Sequence, residues 1–139
     1  TYLCELECVN QNRFELYATG DTFKDTIGNT YTPGNLHIIS SHQADWEDAD
    51  TGYGEFYLGY QYKTLSGVIA PEESSSDCTC TISILGDEVS IFSVDVSRLT
   101  EPYYFELDVS SVNFIKISAG AVASDSTFTV ILNEFMLQK

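Results

Sequence analysis

Basic residues are scarce in this chain of 139 residues: six Lys and Arg stand against 21 Asp and Glu, a formal charge of −15. A phosphate backbone or an anionic bilayer would be repelled over most of such a surface, so nucleic acid and membrane are excluded as partners. No apolar run approaches the roughly 20 residues of a membrane-spanning helix. Thr1 to Glu7 carry neither the basic nor the apolar region of an export signal. The chain therefore reads as intracellular or as an excised mature module. The second is favoured, because many Ser, Thr, Asn and Tyr with few Lys suit secreted and cell-surface modules of bacteria.

Catalytic signatures are missing too. There is no G-x-S-x-G, no H-E-x-x-H and no phosphate-binding glycine loop. Acids are abundant enough to supply a glycosidase pair, but that chemistry needs a cleft, and a β-domain of this size offers loops and shallow faces. The expectation is a non-enzyme.

What is present is apolar and aromatic. Hydrophobic residues make up 43% of the chain, with nine Tyr, eight Phe and one Trp, too many for a disordered acidic tail. Residues 1–139 read as one domain around one core. Extended, β-rich segments alternate with clusters of Gly, Asp, Asn, Ser and Pro, and no segment sustains a 3.6-residue period. The fold class is all-β, an antiparallel β-sandwich. In Tyr103 to Val109 the alternation turns Tyr103, Phe105, Leu107 and Val109 to the core and Glu106 and Asp108 to water. Thr79 to Leu85 and Glu88 to Val96 flank Gly86-Asp87, which suits a two-residue hairpin turn. Val112 to Ala119 and Phe128 to Leu137 are apolar on both parities in places, as central strands covered on both sides would be. The apolar parity changes between Tyr62 and Leu65, which predicts a bulge or tight bend at Gln61 to Thr64. Thr32 to Asn35 reads as a turn, and residues 70–77 and 120–127 as loops.

Four cysteines lie at positions 4, 8, 78 and 80. Read as strands, Tyr2 to Cys8 and Cys78 to Ile84 put all four on apolar faces. The first pair would then stand about 13 Å apart and the second about 7 Å, so two parallel cross-strand disulfides do not fit, and a four-sulfur zinc site fails with them. Buried free thiols are expected, with one disulfide as the alternative.

One stretch, His37 to Gly54, reads as neither strand nor helix beyond Ser40. It holds the only Trp, both His, which read as polar loop residues, four carboxylates and a Tyr. A sugar ring stacks its C–H face on indole or phenol, while its hydroxyls need carboxylate acceptors and amide or imidazole donors. Trp46 or Tyr53 is the candidate platform, and Asp45, Glu47, His42 and Gln43 are the candidate hydroxyl-orienting groups. The same acids offer a second use: Asp45, Asp48 and Asp50, with Glu47, can ligate Ca2+, although the helix-loop-helix calcium pattern is absent.

The order of segments resembles the NPCBM family of carbohydrate-binding modules, with this chain as a divergent member. The resemblance rests on Tyr2-Leu-Cys-Glu-Leu6, Gly28-Asn-Thr-Tyr31, Phe56-Tyr-Leu58 with Tyr62 to Gly67, Ile82 to Asp87 and Phe105 to Val109. It covers nearly the whole chain through short motifs. It implies a jelly-roll sandwich, non-catalytic, appended to secreted or surface proteins of bacteria, binding glycans through loops at one edge. A better characterised branch carries Gly-x-x-His-Ala-x-Ser just before the strand matching Phe56 to Leu58, and this chain has His37 to Gly54 instead. What carries over is the position of the loop, with Ser124-Asp125-Ser126 as a neighbour. The leading expectation is a glycan-binding module of a larger multidomain protein, taking a neutral sugar because the charge disfavours acidic ones unless calcium bridges them. The alternatives are a structural or adhesive module that contacts another protein, and a small hydrolytic domain.

Overall fold

The computed structural model describes residues 1–17, 23–31, 35–43 and 45–139, with Leu16, Tyr17 and Asn35 described for their backbone alone. The described residues form strands β1 (Cys8–Asn12), β2 (Phe14–Tyr17), β3 (Phe23–Lys24), β4 (Thr30–Tyr31), β5 (Asn35–His42), β6 (Tyr53–Tyr57), β7 (Thr64–Pro71), β8 (Cys80–Gly86), β9 (Val89–Val96), β10 (Tyr103–Asp108), β11 (Phe114–Ala119) and β12 (Ser126–Gln138). Two five-stranded antiparallel sheets result, β1-β6-β11-β8-β9 and β10-β7-β12-β5-β2, with β3-β4 as a separate ribbon. This is the expected sandwich of jelly-roll type.

Alternation builds the core between the sheets. Leu65, Gly67 and Ile69 of β7, Cys80, Ile82 and Ile84 of β8, and Ile115, Ile117 and Ala119 of β11 point inward and are buried. Aromatic rings bridge the sheets: Phe14 meets Phe56 edge-on at 5.9 Å, and Phe92 stacks on Phe105 at 5.2 Å. Phe105 in turn meets Phe135 edge-on at 5.0 Å. Each side chain so buried contributes roughly 1.5–3 kcal/mol.

β11 and β12 are the central strands of their sheets, as their composition predicts, but β11 is covered on one side only: Phe114, Lys116 and Ser118 face outward, and Phe114 is 38% exposed. The mixed parity of β12 has two causes. Ile131 faces away from the main core and packs with Ala70 and Tyr31 under the β3-β4 ribbon. Farther on, the register with β7 shifts between Asn133 and Met136, where Glu134 takes a positive φ of 50°. This bulge moves the inward set from Phe128, Val130 and Leu132 to Phe135 and Leu137.

Several local expectations change. Tyr2 to Cys8 is not a strand: Leu3–Glu5 forms a 3-10 turn that buries Leu3, and β1 starts at Cys8. Cys4, Cys8 and Cys78 are half-buried and Cys80 is buried, all as free thiols. Burial, reinforced by neighbouring Cys78, pushes the Cys80 thiol up to about 12. The hairpin turn is Asp87-Glu88, with φ of 49° and 70°, one residue later than expected. Gly86 cannot lead it, because it sits buried in β8 facing Val112. The parity break falls at Gly59-Tyr60, both at positive φ, where the chain leaves one sheet for the other. Tyr103, on the edge strand β10, is 44% exposed against the expectation, while Phe105 and Val109 are buried. β7 runs through Pro71 and β12 begins at Ser126, so both predicted loops are shorter. The expected turn at Thr32 to Asn35 falls at 32–34 outside the described residues.

Candidate functional site

The irregular stretch is shorter than its composition indicates. β5 continues to His42 and β6 starts at Tyr53, leaving a loop from Gln43 to Gly52. Both His belong to β5, and His37 is buried in it. The loop is tied at both ends. Ser41 and Asp50 exchange backbone hydrogen bonds of 2.9 and 2.7 Å, and the Trp46 amide donates to the Gln43 carbonyl at 3.0 Å. His42 Nε2 lies 3.1 Å from the Trp46 carbonyl, so the imidazole ties down the backbone that carries the indole. Trp46 is itself 37% exposed, and Gln43, Asp45, Glu47 and Asp48 are exposed around it.

Asp50 is engaged in holding this loop. One carboxylate oxygen accepts from Asn12 Nδ2 at 3.0 Å and the other lies 3.6 Å from Arg13 Nη1, tying the loop to the bend between β1 and β2. Asn12 Nδ2 also donates to the Thr51 carbonyl at 2.8 Å. Among the described residues no three His, Cys, Asp or Glu side chains converge to hold a metal, so Asp45, Asp48 and Asp50 form no such group. The Asp125 amide donates to the His42 carbonyl, which sets the loop at 120–125 beside the candidate site, the position that the NPCBM resemblance implies.

Gly52 closes the loop onto the sheet. A Cβ there would lie 2.5 Å from the Ile39 carbonyl oxygen and 2.9 Å from that of Arg13, both backbone atoms that cannot step aside. Gly52→Ala is therefore expected to destabilise by about 2 kcal/mol, read as a lowered urea midpoint. A midpoint that does not move would show that the two strands tolerate separation.

Tyr53 occupies different ground. It points outward from β6, opposite Asn12 of β1 and Ser118 of β11. Lys116 Nζ stands 4.5 Å over its ring, so a cation already covers one face of this phenol. The loop thus brings together Trp46, His42, Gln43, Asp45 and Glu47, while Tyr53 belongs to the outer sheet face. That face also holds Glu55, Tyr57 and Phe114, which the sequence reading passed over. A signal for them exists: Tyr53, Glu55 and Tyr57 lie on the parity opposite buried Phe56, and Phe114 on the parity opposite buried Ile115 and Ile117.

No protein-family model matches the sequence, and no curated protein matches it. Solved structures do match. A CBM51 module of a GH95 enzyme from Clostridium perfringens, solved in complex with methyl-galactose, superposes with a TM-score of 0.70 at 12% identity, covering 99% of each chain. The second CBM51 module of Clostridium perfringens ZmpB, solved with GlcNAc and INT domains, gives 0.72 at 9% identity over all of this chain. The tandem CBM51 modules of Sp3GH98 from Streptococcus pneumoniae give 0.72 at 10% identity over 99% of this chain. This chain spans 31% of the ZmpB structure and 46% of the tandem one. At such identities the likeness is one of architecture: the fold is the β-sandwich on which CBM51 carbohydrate-binding modules are built.

Proposed function

We propose that the chain is a non-catalytic carbohydrate-binding module of a secreted or cell-surface bacterial protein, a divergent NPCBM member that takes a neutral glycan on the loop from Gln43 to Gly52. The observation that carries this reading is Trp46. A large apolar ring stands exposed on a loop whose backbone is held by His42, Ser41 and Asn12, so little ordering is needed when a sugar ring stacks on it. Asp45 and Glu47 supply acceptors and Gln43 a donor for the hydroxyls around that ring. Sandwiches of this architecture have been solved with methyl-galactose and with GlcNAc, which supports a hexose as the ligand class. Those modules belong to larger proteins, and the same is proposed here.

A glycan array with the wild type and Trp46→Ala tests the reading. The substitution is expected to weaken binding to a neutral glycan roughly tenfold, the size of one lost stacking contact. Binding that survives it unchanged removes the loop as the site. If no glycan binds while a neighbouring domain or host protein does, the chain is an adhesive module instead.

A further inference from the structure

The outer face of the β1-β6-β11-β8-β9 sheet holds a second set of rings and carboxylates, at the end of β6 away from Trp46. Tyr57 and Phe114 are cross-strand neighbours, their rings 5.2 Å apart at 57°, and they are 53% and 38% exposed. The Tyr57 ring is also held by Gly59, whose Cβ, were it present, would lie 2.9 Å from the phenol Cζ. Gly59 has a φ of +62°, which favours glycine on its own account. Asp87 fixes the second ring: its carboxylate accepts from the amides of Asn113 and Phe114 at 3.0 and 2.9 Å and clamps the hairpin tip to the start of β11. Beside Phe114 and Asp87 lies an open hollow of about 320 Å³ lined by Glu55, Asp87, Glu88 and Phe114. Its size is at the lower end of small-ligand sites.

The lining contains acceptors and an aromatic ring but no basic group. Lys116 is the cross-strand partner of Glu55, yet its ammonium is turned along the strand to Tyr53. Glu55 and Glu88 have no ion-pair partner among the described residues. Three carboxylates at the rim of a chain of charge −15 repel an anionic sugar and offer no donor to an acetamide carbonyl. An ammonium satisfies all of them: it supplies three donors, is drawn by the field, and is attracted to the faces of Phe114 and Tyr57, on which the C–H face of a sugar can rest.

We infer that this hollow is a second glycan subsite, selective for a hexosamine with a free, non-acetylated amino group. The inference deepens the glycan-binding reading and rests on it for the ligand class. Tyr53 and Tyr57 stand four extended residues apart, about 13 Å, so the subsite is filled independently of the loop.

Side-chain NMR with a glucosamine oligomer, its N-acetylated counterpart and galactose tests this on the wild type, Glu88→Gln and Phe114→Ser. The glucosamine oligomer is expected to shift the Tyr57 and Phe114 ring resonances, and the acetylated oligomer to leave them in place. Glu88→Gln, on an exposed turn, and Phe114→Ser should each weaken the glucosamine response read at the Tyr57 ring roughly fivefold or more, as should high salt. Equal response to the acetylated oligomer, or no shift of these rings with glucosamine, overturns the subsite. A wild type that gives no response to galactose, with the glucosamine shifts of Tyr57 and Phe114 intact, overturns the loop reading and leaves the subsite standing.

Discussion

Asp25→Ala is expected to cost about 3 kcal/mol of folding stability, although the residue lies in a two-stranded ribbon outside both large sheets. The Asp25 carboxylate is 2% exposed and accepts four hydrogen bonds: from the amides of Ile27 and Asn29 at 3.0 and 2.9 Å, from Asn29 Nδ2 at 2.9 Å and from the Tyr31 hydroxyl at 2.9 Å. Burial alone would raise its pKa, but these donors outweigh burial and hold it below the usual carboxylate range. Tyr31 reports the same contact: burial first, then the Asp25 carboxylate, push the phenol upward. Truncation strands a buried hydroxyl and two amides, each costing 1 kcal/mol or more when left unmade, and loosens the ribbon over Ile131 and Ala70. Because the folded pKa is depressed, the stabilisation is complete above the ordinary carboxylate pKa and disappears as pH falls through the folded value. Urea unfolding of the wild type, Asp25→Asn and Asp25→Ala should rank them in that order. A loss under about 1 kcal/mol for the alanine variant would mean water replaces the carboxylate.

Asp25 also shows where sequence reading stops. Its partners at positions 27, 29 and 31 are local in sequence, yet nothing in that run distinguishes a buried acid from a solvated one. Where one period decided the structure, the reading succeeded. Alternation located β7, β8 and β9, because each buries one face and a one-residue slip would expose it, while apolar residues on both parities marked the central strands β11 and β12. It failed where backbone geometry overrode the period: the 3-10 turn at Leu3–Glu5, the bulge at Glu134, and a hairpin in which Asp87 and Glu88 take positive φ while Gly86 is needed in the core.

The candidate loop was visible as a cluster of unusual residues. Its internal division was not. Asp50 is indistinguishable in sequence from Asp48, but one is bonded to Asn12 and Arg13 and the other is exposed. In sequence Tyr57 and Phe114 are only strand residues, because periodicity marks the inward parity; the outward parity of the same strands describes the second surface.

His37 provides the other large effect, and it concerns acid. The imidazole is 3% exposed on β5, with the Phe23 ring 4.1 Å away edge-on and Glu15 and Ile131 as its cross-strand neighbours on β2 and β12. Desolvation lowers its pKa from 6.5 to about 4. Between those two values the unfolded chain binds a proton that the folded chain does not, so stability falls as pH is lowered through that window. At about 1.36 kcal/mol per pH unit the full effect is about 3 kcal/mol. Acidification also relieves the repulsion of a chain at −15, which works in the opposite direction, so a wild-type profile alone would mix the two. Comparison with His37→Leu separates them, since the charge background is common to both proteins. Urea midpoints measured from pH 7 to pH 4 should show the wild type losing stability relative to His37→Leu by about 3 kcal/mol across the range. A difference that stays constant with pH would mean that His37 gains its proton as readily folded as unfolded, and that the packing of β5 against Phe23 opens to let water in.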